Sequence, residues 1–233
     1  GGGPDLAVTA EREAPPFQPT SVPLVVGFGL CSSEAPRPGQ AKPPPAPPGL
    51  VEAQPGSVYS GLFREACKGG LCVCPHGGEE WHDMAAENIV QAVEDGATRI
   101  GHGIPALATP ETGLPASVSE KLEALGASSI CELLVQRGVA LEVCITSNML
   151  IKSTEYLRYG GPPGRLLLEQ GVKVVLCSDD PGMWGDAEGT CMHRECERAL
   201  EAGVTREQLG ECMATAFDVS KAAPADVRAQ LAA

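Results

Sequence analysis

A chain of 233 residues, 43% hydrophobic and 20% charged, can bury a sizeable core as one large α/β domain or two small ones. A net charge of −13 argues against a nucleic-acid backbone as partner, because such binding rests on clustered Lys and Arg, and no apolar run is long enough to cross a bilayer. The ten cysteines are scattered, with Cys72 and Cys74 alternating along an apolar run instead of forming CxxC, which fits small buried thiols in a reduced, cytoplasmic protein.

Residues 1–21 carry no usable periodicity and no signal-peptide pattern, and the opening GGGP without Met suggests a chain that begins partway through something. The first strand is predicted in PLVVGFGL (23–30) and is followed by Ser32, Ser33 and Glu34. APRPGQAKPPPAPPGLVEAQPG (35–56) reads as a Pro-rich, extended or disordered insertion, dispensable for folding. A second strand, LCVCPH (71–76), delivers His76, with Glu79 three residues on. Helical spacing then places Met84, Ile89, Val90 and Val93 on one stripe of HDMAAENIVQAVEDG (82–96), with Gly96 where a stop belongs.

TRIGH (98–102) is the third strand and ends on His102; the loose stretch PALATPETGLPAS (105–117) follows. The spacing of Leu122, Leu125, Ile130, Leu133 and Leu134 predicts helix through EKLEALGASSICELLVQRG (120–138), ended by Gly138. VALEVCI (139–145) and VKVVLCSD (172–179) are the fourth and fifth strands, and helical material continues through ECERALEAG and REQLGECMATAFDVSKAA. The strands are too apolar for strict alternation, as expected where helices cover both faces of a parallel sheet. Strands alternating with helices imply repeated βα units.

Each strand delivers polar groups at its C-terminal end: Ser32 to Glu34, then His76 and Glu79, His102, Thr146 to Asn148, and Asp179 with Asp180. In parallel α/β folds ligands bind at that edge, where the loops converge. Taken singly these residues have plain readings. His102 suits a hydrogen-bonded loop histidine, Asp179-Asp180-Pro181 a turn followed by a helix cap, His82 a solvated helix start and His193 a surface helix. Together, His, Glu, His and paired Asp at three strand ends are the inventory of a metal-assisted hydrolytic site. Zinc would take neutral His and carboxylate ligands and lower the pKa of a bound water from about 15.7 to about 7, with Glu79 as a non-ligating proton carrier.

PHGGE (75–79), RIGHG (99–103), CITSN (144–148) and SDDP (178–181), in that order, resemble the motifs of the adenosine deaminase family, zinc enzymes on a (β/α)8 TIM barrel. VVGFGLCSSE (25–34) resembles the strand that precedes them. The resemblance implies that His76 and Asp179 bind Zn2+ and that Glu79 protonates the purine ring. His102 would orient and deprotonate the water, and Asp180 would contact both the attacking oxygen and a purine nitrogen. Ser32 stands where the family's glycine offers its N–H to the purine. The family's two further zinc ligands, a His-x-His, are absent, since all four histidines lie at or after residue 76.

The implied architecture is α/β, a partial TIM barrel over residues 22–222 that lacks the first three βα units, with 223–233 as a tail. The implied activity is zinc-dependent hydrolytic deamination of adenosine, or of adenine or N6-methyl-AMP, in purine metabolism. Its partner is a small purine nucleoside, with no nucleic acid and no membrane; the oligomeric state stays open. The alternative is a non-catalytic barrel remnant that binds a purine or a partner protein.

Overall fold

All five apolar runs form strands, and the chain pairs them in sequence order. The computed structural model describes residues 27–30, 60–79, 85–156, 163–180 and 192–220. The strands are β1 (Gly27–Leu30), β2 (Cys72–Gly77), β3 (Arg99–His102), β4 (Ala140–Val143) and β5 (Lys173–Leu176). Every pairing is parallel, in the order β1-β2-β3-β4-β5. Parallel neighbours need a crossover, and helices supply it: α1 (Ser60–Lys68), α2 (Ala85–Glu94), α3 (Ala116–Ala124), α4 (Ile130–Arg137), α5 (Ile145–Tyr156) and α6 (Gly164–Glu169). After β5 come α7 (Met192–Glu201) and α8 (Arg206–Val219). The result is an α/β arc of a TIM barrel. The N-terminal segment, the Pro-rich insertion, His82 and the 223–233 tail lie outside the described residues.

The core is where sheet and helices meet. Val73, Ile100, Leu141 and Val174 from the strands pack with Ile89 and Val90 of α2 and Leu133 and Leu134 of α4, all essentially without solvent contact. Each large aliphatic buried this way contributes about 1.5–3 kcal/mol. Among the described residues no helix is long and apolar enough to cross a membrane.

Several boundaries differ from the sequence expectation, among them the fifth strand, which ends at Leu176 instead of Asp179. The single helical reading of 120–138 is two helices, because Gly126 takes φ +79° and Ser129 opens a new one, its Oγ accepting from Glu132 N at 3.1 Å. The fourth strand stops at Val143 instead of Ile145, and Ile145 begins α5. The stretch 105–117 is more ordered than its composition suggests, holding short 3-10 turns at Ile104–Leu107 and Pro110–Thr112.

Candidate active site

Side chains alternate across a strand, so the positions that face the inside of the arc repeat every second residue. Glu142 and Cys144 at the end of β4, and Cys177 and Asp179 beyond β5, follow that period and line one cavity of about 340 Å³ with His76 and His102. His76 pairs in register with Gly101 of β3, and a Cβ on Gly101 would stand 3.2 Å from His76 Nδ1. The glycine leaves room for the imidazole. The His76 and His102 rings lie 4.8 Å apart between centroids, tilted by 58°.

Among the described residues, His102 (φ 65°) and Asp179 (φ 57°) are the two non-glycine positions in left-handed backbone. Such a conformation costs on the order of 1–3 kcal/mol and persists only where neighbours fix it. Here the first turn of α5 fixes both. Ser147 Oγ donates to Asp179 Oδ2 at 2.5 Å, and the Asn148 amide meets His102 Nδ1, with Nδ2 at 3.1 Å and Oδ1 at 3.4 Å. Glu195 of α7 is fully buried and accepts from Thr146 N at 3.2 Å, satisfying one of the amides left without an intrahelical partner at the start of α5.

The donors fall into two groups that share His102. His76, Glu79 and His102 form one; His102, Cys144 and Asp179 form the other, and within each the ligand atoms lie within 4.8 Å of one another. Of the residues expected at the site, His76, His102 and Asp179 line the cavity. Glu79 stands beside it, Oε1 3.8 Å from His102 Nε2. Asp180 is exposed, and Ser32 lies outside the described residues.

The thiols and the floor of the cavity were not expected as site features. Hydrogen bonding to Cys177, then burial, pushes the Cys144 thiol far above its ordinary value. Deeper in the arc an ion pair, Arg99 Nε to Glu142 Oε1 at 2.9 Å, joins β3 to β4. Beside it the Cys74 thiol is pushed up to about 12 by burial and then by the Glu142 charge. The signal available in the sequence was the period of two that joins Glu142 to Cys144 and Cys177 to Asp179.

A family model described as adenosine deaminase matches residues 21–233. The adenosine deaminase of Aliivibrio fischeri (strain ATCC 700601 / ES114) is 30% identical over 169 residues, which are 72% of this chain and 43% of that protein. The adenosine deaminase of Vibrio cholerae serotype O1 is 28% identical over 181 residues, 77% of this chain and 46% of that one. The chain thus spans less than half the length of the curated relatives it matches. Among solved structures, an adenine deaminase from Arthrobacter aurescens superposes with a TM-score of 0.59 at 23% identity, covering 89% of this chain and 50% of that one. An Arabidopsis N6-mAMP deaminase superposes at 0.50 and 19% identity, covering 72% and 42%. At these identities the two structures speak to the fold alone.

Proposed function

The chain belongs to the adenosine deaminase family, and from that premise we propose that its residues serve the zinc-dependent hydrolytic deamination of adenosine or a related 6-aminopurine. The observation that carries the reading is the convergence of His76, His102 and Asp179, from the ends of three strands, on one cavity. Imidazole nitrogens and a carboxylate are the donor chemistry a divalent cation takes in hydrolytic sites. His76 and Asp179 would hold it. When bound, the cation supplies a Lewis acid that brings the pKa of water from about 15.7 to about 7.

The chain's own residues do the rest. His102, buried and held by Asn148, orients the attacking water and takes its proton. Glu79, at the cavity's edge, holds the proton that a purine ring nitrogen receives as the 6-amino carbon is attacked. Asp180 steadies the attacking oxygen and a purine nitrogen, and Ser32 takes the place of the family's glycine that offers its N–H to the ring. Residues 22–222 make up the catalytic portion, flanked by 1–21 and 223–233 and interrupted by the dispensable insertion at 35–56. The reaction is placed in the cytoplasm, on a small-molecule purine.

The sequence holds no His-x-His, and two protein donors are fewer than the three of catalytic zinc sites. The test therefore supplies the others. Amine release from adenosine, adenine and N6-methyl-AMP is measured with the chain alone and with the chain joined to the N-terminal half of a curated relative. Release by the joined protein that Glu79→Gln abolishes supports the reading. A folded joined protein that deaminates none of the three while still binding a purine favours the non-catalytic alternative.

A further inference from the structure

We propose that Cys144, Cys177, His102 and Asp179 form a four-donor seat for a borderline or soft divalent cation such as Zn2+, with thiolate ligands beside one imidazole and one carboxylate. Val143 and Leu176 are register partners on β4 and β5, so Cys144 and Cys177 occupy the next positions on neighbouring parallel strands. Both line the cavity, and the donor atoms of Cys144, His102 and Asp179 lie within 4.8 Å of one another. Ligands around a tetrahedral ion at bond lengths of about 2.0–2.3 Å stand roughly 3.3–3.8 Å apart. Side-chain motions of about 1 Å therefore close those three, and Cys177, on the adjacent strand and lining the same cavity, supplies the fourth donor.

Donor count separates this seat from the arrangement of the preceding subsection. His76 and Asp179 offer two donors, whereas two sulfurs, a nitrogen and an oxygen give the four of a closed zinc site. The surroundings that such a site needs are also in place. A metal-binding histidine has its other ring nitrogen engaged and a metal-binding carboxylate is itself hydrogen-bonded. Here Asn148 engages His102 Nδ1 and Ser147 donates to Asp179. Packing alone would call for apolar neighbours, not for a histidine and an aspartate held in left-handed backbone against two thiols. On binding, each ligating thiol releases its proton to solvent. The seat shares His102 and Asp179 with the deaminase reading, so one chain fills only one of the two arrangements at a time, but it uses neither His76 nor Glu79, and the cysteines and His76 therefore tell the two apart.

The probe is Co2+, titrated into the metal-free full chain under reducing conditions and followed by absorbance. The expected result is a near-ultraviolet thiolate-to-cobalt charge-transfer band that saturates at one ion per chain and is erased by Zn2+. Cys144→Ser and Cys177→Ser should each diminish the band and weaken binding beyond the ~10- to 100-fold that loss of an outer partner costs. His76→Ala should leave the band intact. As a check that needs no variant, Zn2+ should shield Cys144 and Cys177 of the unaltered chain from alkylation, mapped by peptide mass. Cobalt bound with ligand-field bands alone, no binding by the folded chain, no shielding, or a band that survives the Cys144→Ser/Cys177→Ser double substitution would each overturn the proposal. Deamination that His76→Ala abolishes, together with a sulfur-free cobalt spectrum, would leave the proposed function standing and remove this seat.

Discussion

Gly103 follows His102 in the chain, and replacing it with alanine tests how tightly the site's backbone is held. Its φ is +65°, and a Cβ there would stand 2.7 Å from both Cδ1 and Cδ2 of Leu141 and 3.2 Å from Cγ. Leu141 is wholly buried, so swinging one methyl away drives it into the core. Gly126 is the natural control. Its φ is +79°, but nothing lies within 4 Å of where its Cβ would be. Gly126→Ala thus incurs the left-handed penalty of about 1–2 kcal/mol, offset in part by about 0.4–1 kcal/mol from a stiffer unfolded chain. Gly103→Ala incurs the same terms plus overpacking of about 1–3 kcal/mol. The difference, about 2 kcal/mol, corresponds to about 1 M in urea midpoint at a slope of about 2 kcal/mol per M. Urea titrations of the two variants by circular dichroism read it directly. Equal midpoints would show that Leu141 yields freely and that Gly103 is required for its φ alone.

Two further outcomes are expected. Asp179→Ala should lose bound metal, whereas Asp180→Ala, exposed and outside the cavity lining, should keep it while slowing any deamination; metal analysis of both purified variants decides, and equal contents would refute the division of labour. Burial raises the Cys131 thiol to about 11 and, with Glu142, the Cys74 thiol to about 12, from an ordinary 9.0. The unfolded chain therefore gives up those protons first, and stability should fall as pH climbs from 9 towards 12. Urea midpoints measured across that range should fall less steeply in Cys74→Ser, and an identical slope would refute the assignment.

The strands were legible because sheet positions covered on both faces demand continuous apolar runs, and no other segment of this chain supplies them. One boundary failed for the same reason. Ile145 extends the apolar run of β4, yet it is buried as the first residue of α5, and a short apolar run does not distinguish a buried strand from a buried helical turn. Helix α1 follows directly on the Pro-rich segment, where no stripe of useful length announces it. At the site, His76, His102 and Asp179 stood out because strand-end imidazoles and carboxylates have no packing role. Cys144 and Cys177 did not, since a thiol among valines and leucines passes for core. The contacts that position His102 and Asp179 join residues 46 and 32 apart, beyond the reach of any local pattern.

Those long-range contacts also explain how the chain sustains two strained residues. β4 lies between β3 and β5 in the sheet, and α5 leaves it at once, so the first helical turn stands over the ends of both neighbours. From that turn Ser147 reaches one way to Asp179 and Asn148 the other way to His102. Hydrogen bonds to charged groups are worth about 1.5–3 kcal/mol, enough to offset the order of 1–3 kcal/mol that the Asp179 backbone costs. Either end of the Asn148 amide reaches His102 Nδ1; with Nδ2 donating, Nε2 would carry the ring proton and face Glu79 3.8 Å away. Rotating the amide so that Oδ1 accepts instead would put the proton on Nδ1 and free Nε2 as a lone pair, the form needed to ligate a cation or accept a proton from water. On the proposed function, the side chain of Asn148 would thereby set which chemistry His102 offers the cavity, which places that control on helix α5 as well as on the strand that carries the histidine.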